Sequence, residues 1–168
     1  MNKVLNIFGI SGHSNEPDPE TGLTPKEKEL VQKSWSLVKT DLRGNGTDLF
    51  LLLFKEYPEA KSFFPFRDVP DEDLPTNGKF KAHAVTVMYS IGSLIDHLNE
   101  NEILIGLLQK TGESHGKRSI PETAYWELKK VILLLLKNKL KSDVFTKEVE
   151  AAWDKTLTVA MTVVIKNL

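Results

Sequence analysis

Two histidines, His83 and His115, are the residues in this chain best placed to do chemistry. Each falls on the inward stripe of an expected helix, where an imidazole is an uncommon choice. Phe80, His83, Ala84, Val87, Met88, Ile91, Leu94 and Ile95 recur at the three-and-four spacing of an amphipathic helix, so His83 shares a face with core residues. Leu104, Leu107, Leu108 and Thr111 continue a similar stripe down to His115, and Gly116 follows as a helix terminator. A lone buried histidine needs only a hydrogen-bond partner. Two of them on facing stripes point instead to a metal held between helices.

Composition narrows the ligands. The chain has 168 residues, enough for one domain with a proper core, and its net charge of -1 offers no electrostatic footprint for nucleic acid. It has no cysteine, which excludes disulfides, thiolate metal sites and cysteine catalysis and leaves histidine and carboxylates to bind metal. Residues 1–22 read as a flexible N-terminal extension and 23–168 as the folded domain. Within the extension, Val4 to Ile10 is apolar but broken by Asn6, a poor signal peptide and at most a weak peripheral membrane contact, so the expected location is cytoplasmic. No stretch is long enough to span a bilayer.

The elements that position the histidines all read as helices. Thr24-Pro25 with Glu27 is a capping box opening a first helix that should run to about Leu42 on the stripe Leu30, Val31, Ser34, Trp35 and Val38. Gly44-Asn45-Gly46 should then break the chain before Leu49, Phe50, Leu53, Phe54 and Tyr57 open a second stripe closed by Pro58. From Pro58 to about Pro75 the composition suggests a short helical turn and an exposed loop, with Asp71-Glu72-Asp73 solvated. Asn77-Gly78 leads into the His83 helix, and Asn99-Glu100-Asn101 separates it from the His115 helix. Tyr125, Leu128, Val131, Ile132, Leu135 and Leu136 face inward from the next helix, which Pro121 and Glu122 begin. Val149, Trp153, Leu157, Ala160, Met161 and Val164 mark the last. The run Val131 to Leu136 could be a buried strand, but its continuation to Leu140 favours a buried helix, and the expected class is all-α.

With Trp35, the run Leu49-Phe50-x-x-Leu53-Phe54-x-x-x-Pro58, Phe64 six positions after that proline, His83, and His115 thirty-two positions later, the chain resembles a globin from about Leu23 onward. Gly46-Thr47-x-Leu49-Phe50 and Ala151-Ala152-Trp153 give it the flavour of an animal intracellular globin of the neuroglobin-like kind. The resemblance implies a globin fold packed around haem b, iron protoporphyrin IX. His115 then matches the proximal iron ligand, its other ring nitrogen held by a backbone carbonyl or by the hydroxyl of Thr111 or Ser114, Thr111 being the more inward. His83 matches the distal position, able to donate a hydrogen bond to a bound gas or to coordinate iron itself. Val87 crowds the same face.

Phe64 matches the phenylalanine packed on the haem, with Phe63 as its rival if the corner shifts by one residue. Phe50 matches the position that sets pocket size and dryness, and Ile120 and Tyr125 match pocket-lining positions. Tyr125 departs from the usual apolar residue, leaving a hydroxyl in need of a partner. Thr86 stands where many relatives carry a basic residue for a haem propionate, so Arg67, Lys117 and Arg118 are the substitutes. His13 lies in the extension and His97 at the far end of its helix.

The implied function is reversible binding of dioxygen, carbon monoxide or nitric oxide for storage, transport or sensing, with two histidines on the iron when no gas is bound. The implied alternative is redox turnover on the same haem, as a nitric oxide dioxygenase or nitrite reductase. A haem-free helical interaction module is a third reading, against which both retained histidines argue. No phosphate loop, nucleophile elbow or paired catalytic carboxylates accompany them.

Overall fold

The Thr24 hydroxyl accepts the Glu27 backbone N–H, and the Glu27 carboxylate accepts that of Thr24, so the capping box forms and opens helix α1, Pro25–Val38. The computed structural model describes residues 15–168, which hold five more α-helices: α2 (Leu42–Glu56), α3 (Gly78–Asp96), α4 (Asn101–Gly116), α5 (Glu122–Lys139) and α6 (Lys147–Lys166). No strand occurs among the described residues, and Val131 to Leu136 lies inside α5. Asn77 and Thr146 cap α3 and α6 through their side chains. None of these helices is long and apolar enough to cross a membrane.

Three expectations along the chain are corrected. α1 stops at Val38 rather than near Leu42, and a 3-10 turn over Lys39–Asp41 leads straight into α2. Gly44-Asn45-Gly46 is therefore not a break but the first turns of α2, with Asp41 as its cap. The physical reason lies in the partners. The Asn45 amide donates to the Val38 carbonyl at 2.7 Å, satisfying an acceptor left open where α1 ends. A Cβ on Gly46 would sit 2.8 Å from the Ala84 carbonyl oxygen and 2.9 Å from Met88 Cγ, so this glycine lets α2 and α3 cross in backbone contact. Gly46→Ala should destabilise the protein by about 1–3 kcal/mol, the usual effect of forcing a methyl into a packed contact, measurable by urea unfolding.

The segment between α2 and α3 is more structured than an exposed loop. It holds two 3-10 turns, Pro58–Phe63 and Asp71–Thr76, and buries Phe66 and Leu74 completely enough to join the core. The acidic run begins the second turn, where Asp71 accepts from Lys61.

Residues 18–22, just ahead of α1, are held against the helices. Asp18 is tied down: one carboxylate oxygen accepts the backbone N–H groups of Glu20 and Thr21, the other pairs with Lys28 of α1 at 2.9 Å, and the Asn101 amide at the start of α4 donates to both. Thr21 is buried. Val4 to Ile10 and His13 lie outside the described residues.

Burial alone would raise the Asp18 pKa, but the hydrogen bonds from Lys28, Thr21, Asn101 and Glu20 outweigh it and hold the carboxyl well below the usual carboxylate range. A carboxyl lowered on folding adds stability above its unfolded pKa, near 3.9, and that stability is lost as pH falls from there toward the folded value. Asp18→Asn should therefore cost about 2–3 kcal/mol at neutral pH and flatten the acid limb of the stability curve below about pH 4. Chemical denaturation at a series of pH values checks both.

Long-range packing follows the stripes. α1 is locked to α6 where Trp153 Nε1 donates to Ser34 Oγ at 2.8 Å, with the Trp35 and Trp153 ring centroids 6.1 Å apart. α2 packs on α3 and α5, α5 on α6, and α4 chiefly on α6. This leaves α3 and α4, the two histidine helices, with little direct packing against each other.

Candidate functional site

The space left between α3 and α4 is the site. Two adjoining cavities occupy it, about 620 Å³ and 1020 Å³, each partly open to solvent and sharing Val87, His115, Tyr125 and Leu128 in their walls. The smaller is bounded by both histidines, with Phe50, Phe64 and Ile120 among its walls. The larger runs deeper, between Ile91 and Leu94 of α3, Leu108 and Thr111 of α4, and the apolar faces of α5 and α6. Every residue singled out for the pocket in the sequence lines this space. Sequence reasoning treated Leu53 and Leu128 only as core, yet both reach it. For Leu128 a signal was available, since it lies three positions after Tyr125 on the same helical face.

His115 ends α4 with its ring orientation fixed. Nδ1 lies 2.8 Å from the Thr111 carbonyl, and because a carbonyl oxygen only accepts, Nδ1 carries the proton and donates. Nε2 is therefore the basic nitrogen, with its lone pair free for a metal. Of the partners considered, the backbone carbonyl provides this bond. Ser114 Oγ lies 3.1 Å from Nδ1 as a secondary acceptor, while the Thr111 hydroxyl is engaged with the Leu107 carbonyl. Tyr125 meets the imidazole edge-on, at 6.2 Å between centroids.

His83 sits in a cage of phenylalanines. Its ring is 5.1 Å from Phe50, 5.1 Å from Phe64 and 6.1 Å from Phe66, centroid to centroid. None of these neighbours offers it a hydrogen-bond acceptor. Burial lowers the His83 pKa, and the positive charge of Arg118 pushes the same way, favouring the neutral ring. A neutral imidazole with no polar partner in the cage is available to whatever enters the cleft.

The corner residues separate cleanly. Phe64 is the one against His83 and Phe50, whereas Phe63 is 36% exposed and reaches only the mouth of the cleft. The Tyr125 hydroxyl is buried with no partner among the described residues, and burial raises its pKa. Among the basic candidates, Arg118 lines the cleft, and its charge is felt at both His83 and Tyr125. Arg67 lies 3.8 Å from the exposed Asp68, and neither it nor Lys117 lines the cavities. Thr86 is exposed and turns its hydroxyl back to the Ala82 carbonyl. His97 Nδ1 donates to the Ser93 carbonyl, away from the cleft.

Residues 47–164 match the family model for globins. The chain belongs to the globin family. It is 30% identical over 137 residues to a globin of Nerita albicilla, covering 80% of this chain and 86% of that one. An anaerobic nitrite reductase of Arabidopsis thaliana is 31% identical over 139 residues, 81% of this chain and 87% of the relative. The hexa-coordinate hemoglobin of Drosophila melanogaster superposes with a TM-score of 0.81 at 27% identity, covering 87% of this globin and 95% of its own chain. The all-α architecture is thus a globin fold, and the cleft between α3 and α4 fits the group the resemblance implies. It is broad, mainly apolar, and has one oriented nitrogen donor and one neutral nitrogen donor facing in.

Proposed function

We propose that this globin holds haem b through His115 Nε2 and binds dioxygen, carbon monoxide or nitric oxide reversibly, with His83 occupying the sixth position of the iron when no gas is present. The observation that carries the reading is the pairing of donors. One imidazole has its tautomer set by the Thr111 carbonyl, and the other is kept neutral and without a polar partner in a phenylalanine cage, both facing one cleft. Haem, when held, supplies the iron centre to which a diatomic gas binds. The protein does the rest: His115 anchors, Phe50, Phe64 and Val87 exclude water, and His83 competes with or donates to the incoming molecule. Arg118, which lines the cleft, would pair with a propionate in place of the basic residue missing at Thr86. The similarity to a hexa-coordinate hemoglobin supports the two-histidine state.

A second reading is redox turnover, as a nitrite reductase or nitric oxide dioxygenase, favoured by the 31% identity to a relative named for nitrite reduction. Both readings use the same residues, in a cytoplasmic protein whose globin domain spans residues 23–168. Purified protein titrated with hemin should develop a Soret band, and the deoxygenated ferrous form should show sharp split visible bands. Absence of the Soret band overturns the haem assignment. A single broad visible band overturns the two-histidine state alone. Steady turnover of nitrite with a physiological reductant, faster than autoxidation allows, would select the enzymatic reading.

A further inference from the structure

We infer that Gly112 and Gly116 are positioning residues for His115, setting how far the ligand-bearing end of α4 reaches into the cleft by letting α4 lie in backbone contact with the end of α6; this rests on the haem reading above. On α4, Leu104, Leu108, Thr111 and His115 form the stripe that faces the cavity. That stripe borders empty space, so it does not itself fix the height of the helix. The glycines sit one residue further round, four apart, and therefore share a face that flanks that stripe.

On that face the packing is as close as backbones allow. A Cβ on Gly112 would lie 2.5 Å from the Val164 carbonyl oxygen and 2.9 Å from Asn167 Cβ, and one on Gly116 would lie 2.5 Å from the Leu168 carbonyl carbon. Val164 is buried, and Asn167 is itself held by its amide on the Val163 carbonyl. Gly112 has nowhere to gain a methyl without moving α4. Gly116 ends α4 as the sequence suggests, but with an ordinary negative φ, so close approach, rather than a left-handed turn, demands the glycine.

The consequence is directional. Because α4 packs chiefly on α6 and only slightly on α3, a push on its glycine face displaces α4 and carries the His115 ring with it relative to the cleft. The Nδ1 bond to Thr111 travels with the helix and cannot correct it. Gly106 provides an internal control, since it lies on the same helix with nothing within 4 Å of where its Cβ would be.

The test uses hemin-loaded full-length protein carrying His83→Ala, so that the ferrous iron has one protein ligand and its iron–imidazole stretching frequency can be read by resonance Raman. In that background Gly112→Ala should shift the frequency and speed hemin loss by about tenfold, the equivalent of a modest packing strain felt at the bond. Gly106→Ala should change neither. Unfolding of the apoprotein measured in parallel separates the two roles, because a glycine needed only for packing lowers stability and leaves the frequency in place. An unshifted frequency in Gly112→Ala therefore overturns the inference. If Gly112→Ala fails to fold, Gly116→Ala decides by the same frequency, its obstacle being the less confined Leu168. Failure of the parent protein to take up hemin at all removes the haem reading instead, and is seen before any glycine variant is made.

Discussion

His115→Ala should abolish stable haem retention while leaving the apoprotein folded. The imidazole faces the cleft with its ring oriented by a bond within the protein, from Nδ1 to the Thr111 carbonyl. Disturbing such supporting bonds around a metal ligand costs about 10–100-fold in affinity, so deleting the ligand itself should accelerate hemin loss by more than about 100-fold. The fold has little to lose. His115 is half-buried at the last turn of α4, beside a cavity, and its one structural hydrogen bond is to a carbonyl that Ser114 Oγ already shares. Circular dichroism of the apoprotein should thus be unchanged, with stability within about 1 kcal/mol of the parent. Added imidazole should restore the Soret band, because the Thr111 carbonyl remains to receive its N–H. Ser114→Ala, which removes only the secondary acceptor, should change hemin loss a few-fold at most. A variant that keeps its haem as firmly as the parent would mean that another group holds the iron.

How much of this was legible beforehand divides along physical lines. Both histidines, the aromatic wall and the helices that carry them follow from a 3.6-residue period and side-chain caps, which are local signals. The caps at Thr24 and Asn77 formed as read. What escaped was what depends on a partner far away in sequence. Gly44-Asn45-Gly46 has the composition of a break and becomes helix because Val38 needs a donor and Ala84 needs room. Gly116 reads as a terminator but is there because Leu168 lies on it. Asp18 meets Lys28 on α1 and Asn101 on α4, partners that no local pattern names. Spacing confines the partner of the His115 ring to one helical turn, and the fold selects the Thr111 carbonyl over two hydroxyls. The departure of Tyr125 from an apolar norm implies a hydroxyl needing a partner, and it has none among the described residues.

His83→Ala should convert the deoxygenated ferrous spectrum from sharp split bands to one broad band and raise the affinity for carbon monoxide. The argument is competition. If His83 occupies the sixth position about 99% of the time, an incoming gas finds the competent state in about one molecule in a hundred, and removing the competitor raises apparent affinity about 100-fold. The cage favours that occupancy, since Phe50, Phe64 and Phe66 surround the ring and give it nothing else to bond. Burial and the nearby charge of Arg118 keep it neutral, the only state able to ligate. Dioxygen should gain less than carbon monoxide, because the same substitution removes the one imidazole N–H placed to donate to it. A hydrogen bond of that kind is worth about 1 kcal/mol or more, or several-fold in affinity. His83→Gln separates the two effects, retaining a donor while removing the imidazole, and should restore part of the dioxygen affinity without restoring the split bands. His83→Leu controls for volume, since it keeps the cage filled and apolar. A carbon monoxide affinity unchanged in all three variants would show that His83 does not compete for the iron, and the neutral ring would then serve only as a donor over an open sixth position.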